Sequence, residues 1–150
     1  MNELADPALL LPVARSFPEL HIVLAHGGRD WWYDAAGFMA LSHPNFWIEL
    51  SGLPPKRLPE YYHRYDLGRL ARKWIFATVW PGVPGTAANA RAVVSLGLDD
   101  EVAGLVLGGN ATAVYAGLDR LRPAAPGSSH ADDLFHITAD GGHTSRGART

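Results

Sequence analysis

The chain has 150 residues, a formal net charge of −2 and 47% hydrophobic residues, which suffices for about one ordinary domain with a real core. Near-neutral charge lacks the clustered Lys and Arg of a nucleic-acid footprint. The absence of cysteine excludes disulfides, a thiolate nucleophile and Cys-ligated metal. Residues 1–6 carry no basic leader pattern, and no stretch is long and apolar enough to span a bilayer, the uncharged run 102–118 being broken by glycine. A cytoplasmic protein without membrane or nucleic-acid partners is expected.

Sixteen Gly and 11 Pro point to a loop-rich chain rather than a helical bundle. In chain order, a first strand is predicted over 21–25, introduced by Phe17-Pro18-Glu19 and stopped by Gly27-Gly28. Asp30 is read as the cap of a helix over 31–42, with Trp32, Ala35, Ala36, Met39 and Ala40 at helical spacing. A second strand covers 46–50, between Pro44-Asn45 and Gly52, and a weaker helix covers 58–64. The third strand is predicted over 74–79, ended by Pro81-Gly82. Thr86 then caps a helix over 87–96 and Asp99 one over 100–107. Gly108-Gly109 is expected to break the chain before a last short helix ending at 116. Strands alternating with helices at this spacing imply a parallel α/β sheet. The segment 1–122, compact over 7–120, is followed by a tail, 123–150, that opens on Pro123-Ala124-Ala125-Pro126-Gly127. The tail is expected to be disordered, because it offers too little apolar surface to offset about 1–2 kcal/mol of chain entropy per residue.

In parallel βα architectures chemistry collects at the carboxyl ends of the strands. Those ends read His26-Gly27-Gly28, Glu49-Leu50-Ser51-Gly52 and Val79-Trp80-Pro81-Gly82. Alternation groups Ile22, Leu24 and His26 on one face, and Ile75, Ala77 and Val79 on one face of the third strand. On the second, Trp47, Glu49 and Ser51 lie opposite Phe46, Ile48 and Leu50. By themselves these residues leave two readings of His26: an imidazole presented at an open mouth, or a cap that bonds a loop carbonyl.

Four segments arrive in one order: Phe-Pro-Glu-Leu-His-Ile-Val-Leu-Ala-His-Gly-Gly at 17–28, Pro-Asn-Phe-Trp-Ile-Glu-Leu-Ser-Gly at 44–52, Lys-Trp-Ile-Phe-Ala-Thr-Val-Trp-Pro at 73–81 and Gly-Gly-Asn-Ala at 108–111. The series resembles the last three strands and closing helices of amidohydrolase family 2. Its members are metal-dependent (β/α)8 TIM-barrel hydrolases and decarboxylases of the aminocarboxymuconate-semialdehyde decarboxylase kind. The resemblance implies a partial barrel made of the last three βα units. It covers about residues 7–120, somewhat under half of the about 250 residues a barrel takes.

The resemblance also implies roles. The family's sixth strand ends in a histidine beside the metal; His26 takes that place as the catalytic candidate, polarising bound water or guiding a proton. The eighth strand typically reads Phe-Gly-Ser/Thr-Asp-Trp/Tyr-Pro, whose Asp contacts the metal. Here Phe76-Ala77-Thr78-Val79-Trp80-Pro81 places Val79 at the Asp position, and an isopropyl group neither ligates a cation nor takes a proton. Asn110 matches a closing element that is structural in the family. The first-strand His-x-His or Glu-x-His pair and the fifth-strand histidine have no counterpart. The family implies a divalent metal such as zinc, which needs about three protein ligands. No metal ligand is assigned here, and no bound metal is expected.

The remaining candidates carry less. Glu49 reads as a lumen carboxylate whose pairing neighbour is missing, in preference to a catalytic acid. Among Trp31, Trp32, Tyr33 and Trp80 near strand ends, Trp80 is the substrate-binding candidate. His130, His136 and His143 match no zinc spacing, and Gly82-Val83-Pro84-Gly85 lacks the Lys of a phosphate loop. Three strands are expected to leave two open sheet edges, inviting self-association or a partner that supplies the missing strands. The functional expectation is thus a part of an amidohydrolase-type hydrolase or decarboxylase, inactive alone. The alternatives are a non-catalytic module that docks on such a partner, and a decayed reading frame without a role.

Overall fold

Pro7 and Pro12 stand in first-turn positions, where a missing N–H costs nothing, and Asp6 caps Ala8 N–H at 2.9 Å. These residues start the 3-10 turn Pro7–Leu10 and helix α1 (Leu11–Ser16). The structure, a computed structural model, describes residues 3–81 and 85–115. The expectations for the tail 123–150 and for Gly82-Val83-Pro84 fall outside these residues.

Strands β1 (Ile22–Leu24), β2 (Phe46–Glu49) and β3 (Trp74–Ile75) form one parallel sheet in the order β1-β2-β3. Ile22 lies opposite Phe46 and Leu24 opposite Ile48; Ile48 in turn faces Trp74, and Glu49 faces Ile75. Helix α2 (Tyr33–Ser42) joins β1 to β2, and α3 (Leu58–Tyr61) and α4 (Leu67–Ala71) join β2 to β3. Helices α5 (Thr86–Val94), α6 (Asp100–Gly104) and α7 (Asn110–Val114) follow. This is the mixed helix–sheet architecture with parallel strands that the alternating pattern predicts. Among the described residues no helix is long and apolar enough to cross a membrane.

Alternation along β2 sets the core. Phe46, Ile48 and Leu50 are buried, together with Ala36, Met39 and Ala40 of α2, Leu58, Leu70, Trp74, Val93 and Val106. Trp47 and Glu49, on the other face, are half-buried. The two-face reading of the second strand holds.

Element ends differ from the sequence pattern for identifiable reasons. The third strand stops at Ile75 rather than at Val79. The ladder's last bond is Leu50 N–H to Ile75 O at 3.0 Å, after which β2's chain turns away through Gly52 at φ +70° and leaves Phe76 no strand neighbour. Asp30 does not cap α2: it sits at φ +68°, and Trp32 N–H bonds Gly28 O instead. Helix α3 ends three residues early. Thr86 begins α5 rather than capping it, with its hydroxyl 3.3 Å from that of Thr78. Helices α1 and α4 lie outside the predicted elements, although Asp66 caps α4 by accepting Arg69 N–H at 2.7 Å.

Gly108-Gly109 does not break the chain. A π-helical turn, Leu105–Gly109, joins α6 to α7, so Asn110 N–H reaches back five residues to Leu105 O. That leaves Val106 O free, and it accepts Phe76 N–H at 3.0 Å. The Asn110 amide donates to Arg72 O at 3.0 Å and Trp74 O at 2.8 Å. Among the described residues both outer strands lack a further strand, as expected, but these bonds cap the outer edge of β3. On the outer side of β1, no described residue pairs with the strand.

Asn110 is buried, so Asn110→Ala strands two carbonyls away from water. It is expected to lower the unfolding free energy by about 1–3 kcal/mol, read as a lower denaturant midpoint at constant slope. An unchanged midpoint would show that the edge does not depend on this amide.

Candidate functional site

Beyond β1 the chain bends sharply through the 3-10 turn Ala25–Gly28. His26 lies at φ +59° and ψ +19°, in the left-handed region, and Gly27 and Gly28 follow it there. For a residue with a Cβ this costs roughly 1–2 kcal/mol, and such strain persists only where surrounding contacts hold it. Consequently His26 belongs to the turn, not to the strand face of Ile22 and Leu24. That corrects the simple alternation.

Among the contacts that hold the turn, two come from Tyr62 and Glu49. Gly27 O accepts the hydroxyl of buried Tyr62 at 2.7 Å. A side chain at Gly27 would collide with the Tyr62 hydroxyl and lie 3.0 Å from Leu53 Cδ1, so only glycine fits. The second contact is Glu49, whose Oε2 accepts His26 N–H at 3.2 Å.

Glu49 does more than that. Its Oε2 also accepts the Ser51 hydroxyl at 2.8 Å, and its Oε1 accepts Ser51 N–H at 3.0 Å. The expectation that Glu49 lost its partner is therefore corrected: its partners are on β1's turn and two residues along its own chain. Ser51 is only 7% exposed. Its carbonyl oxygen lies 2.7 Å from His26 Nδ1 and its hydroxyl oxygen 2.9 Å from the same atom. Serine thus stands between the acid and the imidazole. A nucleophilic triad needs the imidazole between the acid and the serine, and here the serine proton is engaged by Glu49. The ordering here is not that of a nucleophilic triad.

The other candidates are not drawn into this cluster. Trp80 is 70% exposed and Val79 41% exposed, both beyond the end of β3. The Trp80 ring has no aromatic or hydrogen-bond partner among the described residues. Tyr33 stacks on Tyr61 at 4.5 Å between ring centres, beside a shallow surface hollow of about 250 Å³ that Trp31 also borders. A second cavity of about 350 Å³ opens next to Gly52, between Leu53, Pro54, Ala88 and Ala92.

Sequence reasoning missed Ser51 and Tyr62 as site residues. Ser51 had a signal, since two-residue spacing puts it on the face of Glu49. Tyr62 had none, because only the folded chain brings its hydroxyl to Gly27.

A divalent metal does not fit the described residues alone. No three His, Asp or Glu side chains converge among them, and His26 Nδ1 and both Glu49 oxygens are engaged within the chain. A zinc site needs about three protein ligands.

Burial pushes the Tyr62 phenol well above its ordinary value, and burial also raises Tyr33 and Tyr65. The folded state thus keeps these phenols neutral while the unfolded chain ionises near pH 10. Their stabilising share is complete below about pH 10 and is lost as pH rises beyond it. Tyr62→Phe is expected to reduce the alkaline loss of stability. It should also cost about 1–3 kcal/mol at neutral pH, by stranding Gly27 O. Denaturant midpoints at pH 7 and pH 11 measure both, and an identical pH slope in the variant would contradict the assignment to Tyr62.

The comparisons with known proteins add one finding. A family model described as amidohydrolase matches residues 3–117. Neither the curated proteins nor the solved structures give a match.

Proposed function

The chain belongs to the amidohydrolase family, and from that premise we propose that β1, β2 and β3 are the sixth, seventh and eighth strands of a metal-dependent (β/α)8 hydrolase or decarboxylase barrel. One observation carries the reading. His26 is fixed just past the carboxyl end of β1 by groups at the carboxyl end of β2. That is the end of a parallel barrel where chemistry is done.

In this role His26 transfers a proton at the reacting centre. Exposed Trp80, past the end of β3, supplies an aromatic surface for the substrate. The metal-ligating residues come from strands outside residues 1–150, on another segment or a partner chain. The bare outer edge of β1 is where a further parallel strand adds. Residues 1–150 in isolation are inactive, since Val79 replaces the family's eighth-strand acid and no ligand set is present. Val79 equally favours a second reading, a non-catalytic module that docks on a chain supplying the other strands.

The test uses purified residues 1–150 incubated with zinc or manganese. Elemental analysis is expected to find no stoichiometric metal, and assays no hydrolase or decarboxylase turnover. Val79→Asp alone should remain inactive, but should gain activity with a fragment carrying strands one to five. About one metal per unmodified chain, lost in His26→Ala, would overturn the inactivity. Activity of the unmodified chain equal to Val79→Asp in the presence of that fragment would show that Val79 is no lesion.

A further inference from the structure

The hydrogen bonds around His26 specify which ring nitrogen carries the proton. Ser51 O, 2.7 Å from Nδ1, is a carbonyl oxygen and can only accept, so Nδ1 donates. A neutral imidazole has a single ring proton. Nε2 is therefore left with its lone pair free. It has no protein partner among the described residues, and it is not among the buried side-chain atoms left unpaired there, which are His43 Nδ1 and Trp74 Nε1.

Among the described residues, the Ser51 hydroxyl is the one group that could reverse this assignment. It lies 2.9 Å from Nδ1, and a hydroxyl that donated there would force the proton onto Nε2. Glu49 prevents it. A carboxylate has no proton to give, so at 2.8 Å the Ser51 hydroxyl donates to Glu49 Oε2. Its oxygen then turns a lone pair toward Nδ1–H, which is shared between the carbonyl and the hydroxyl oxygens of Ser51. The backbone bonds from His26 N–H and Ser51 N–H to the same carboxylate fix the distances on which this depends.

We propose that Glu49 and Ser51 are positioning residues that hold neutral His26 in the Nδ1–H tautomer, presenting Nε2 as a free base or ligand atom at the strand ends. The hydrogen that the neighbour accepts decides which nitrogen is left reactive. This deepens the proposed role of His26, yet its test needs neither turnover nor metal, so each can fail separately.

The test is nitrogen-15 NMR of the full chain at pH 8, in solution or in a sedimented assembly, with the His26 signals assigned by their loss in His26→Asn. A pyrrole-type Nδ1 and a pyridine-type Nε2 are expected. In Glu49→Gln the amide can donate, so the Ser51 hydroxyl is released to donate to Nδ1. The Nε2–H form should then gain up to several-fold in population, against the Ser51 carbonyl that still favours Nδ1–H. Ser51→Ala keeps the backbone carbonyl and should keep the Nδ1–H form, which separates tautomer control from general loosening. A wild-type His26 in the Nε2–H form would overturn the proposal, whatever the variants do. An unchanged tautomer in a folded Glu49→Gln would remove Glu49 from it. A failure of the completed barrel to turn over substrate, with the tautomer as expected, would sink the proposed function and leave this inference standing.

Discussion

The Glu49 carboxylate accepts hydrogen bonds from His26 N–H, Ser51 N–H and the Ser51 hydroxyl, and this ties the ends of two adjacent parallel strands together. A parallel ladder has no tight turn to lock its register, so the strand ends need another fastening. Here one half-buried side chain provides it. The same bonds stabilise the left-handed His26, whose conformation would otherwise be relieved by straightening the turn. Hydrogen bonds to a charged group are worth about 1.5–3 kcal/mol each when well made, enough to offset a strain of roughly 1–2 kcal/mol. Tyr62 works from below, filling the space that Gly27 leaves and bonding its carbonyl.

At the opposite side of the sheet a second polar device does what strand pairing would do. The π-helical turn shifts the helical bonding by one residue and frees Val106 O for Phe76 N–H. Asn110 takes the carbonyls of Arg72 and Trp74. π turns are uncommon and often mark functional positions; here the turn covers a sheet edge. The sheet therefore has a closed side at β3 and a bare one at β1. A further strand can pair directly at β1, whereas closing a full barrel, which joins its last strand to its first, also requires the Asn110 and Val106 bonds at β3 to give way.

Much of this was legible in the residues. The positions of β1 and β2, the inward set Phe46, Ile48 and Leu50, and the strand-end histidine all follow from alternation and turn residues. The family followed from four segments in one order, and the family match covers them. What was not legible depended on partners distant in sequence. Residues 76–79 have strand-forming character but no neighbour to pair with past Ile75. Asp30 has capping chemistry, yet the turn that positions His26 forces it to positive φ. Gly108-Gly109 reads as a break locally, yet the helix runs on through a π turn whose Val106 O accepts Phe76 N–H. The partners of Glu49 are not legible in the sequence because they include backbone N–H groups, which no residue pattern displays.

The most direct test of the account is a double-mutant cycle between Glu49→Gln and Ser51→Ala, read as unfolding free energy in denaturant. If the carboxylate holds the strand ends through Ser51, the two changes must couple, by about 1 kcal/mol or more. Effects that add to within about 0.3 kcal/mol would contradict it, and the fastening of β1 to β2 would have to lie elsewhere.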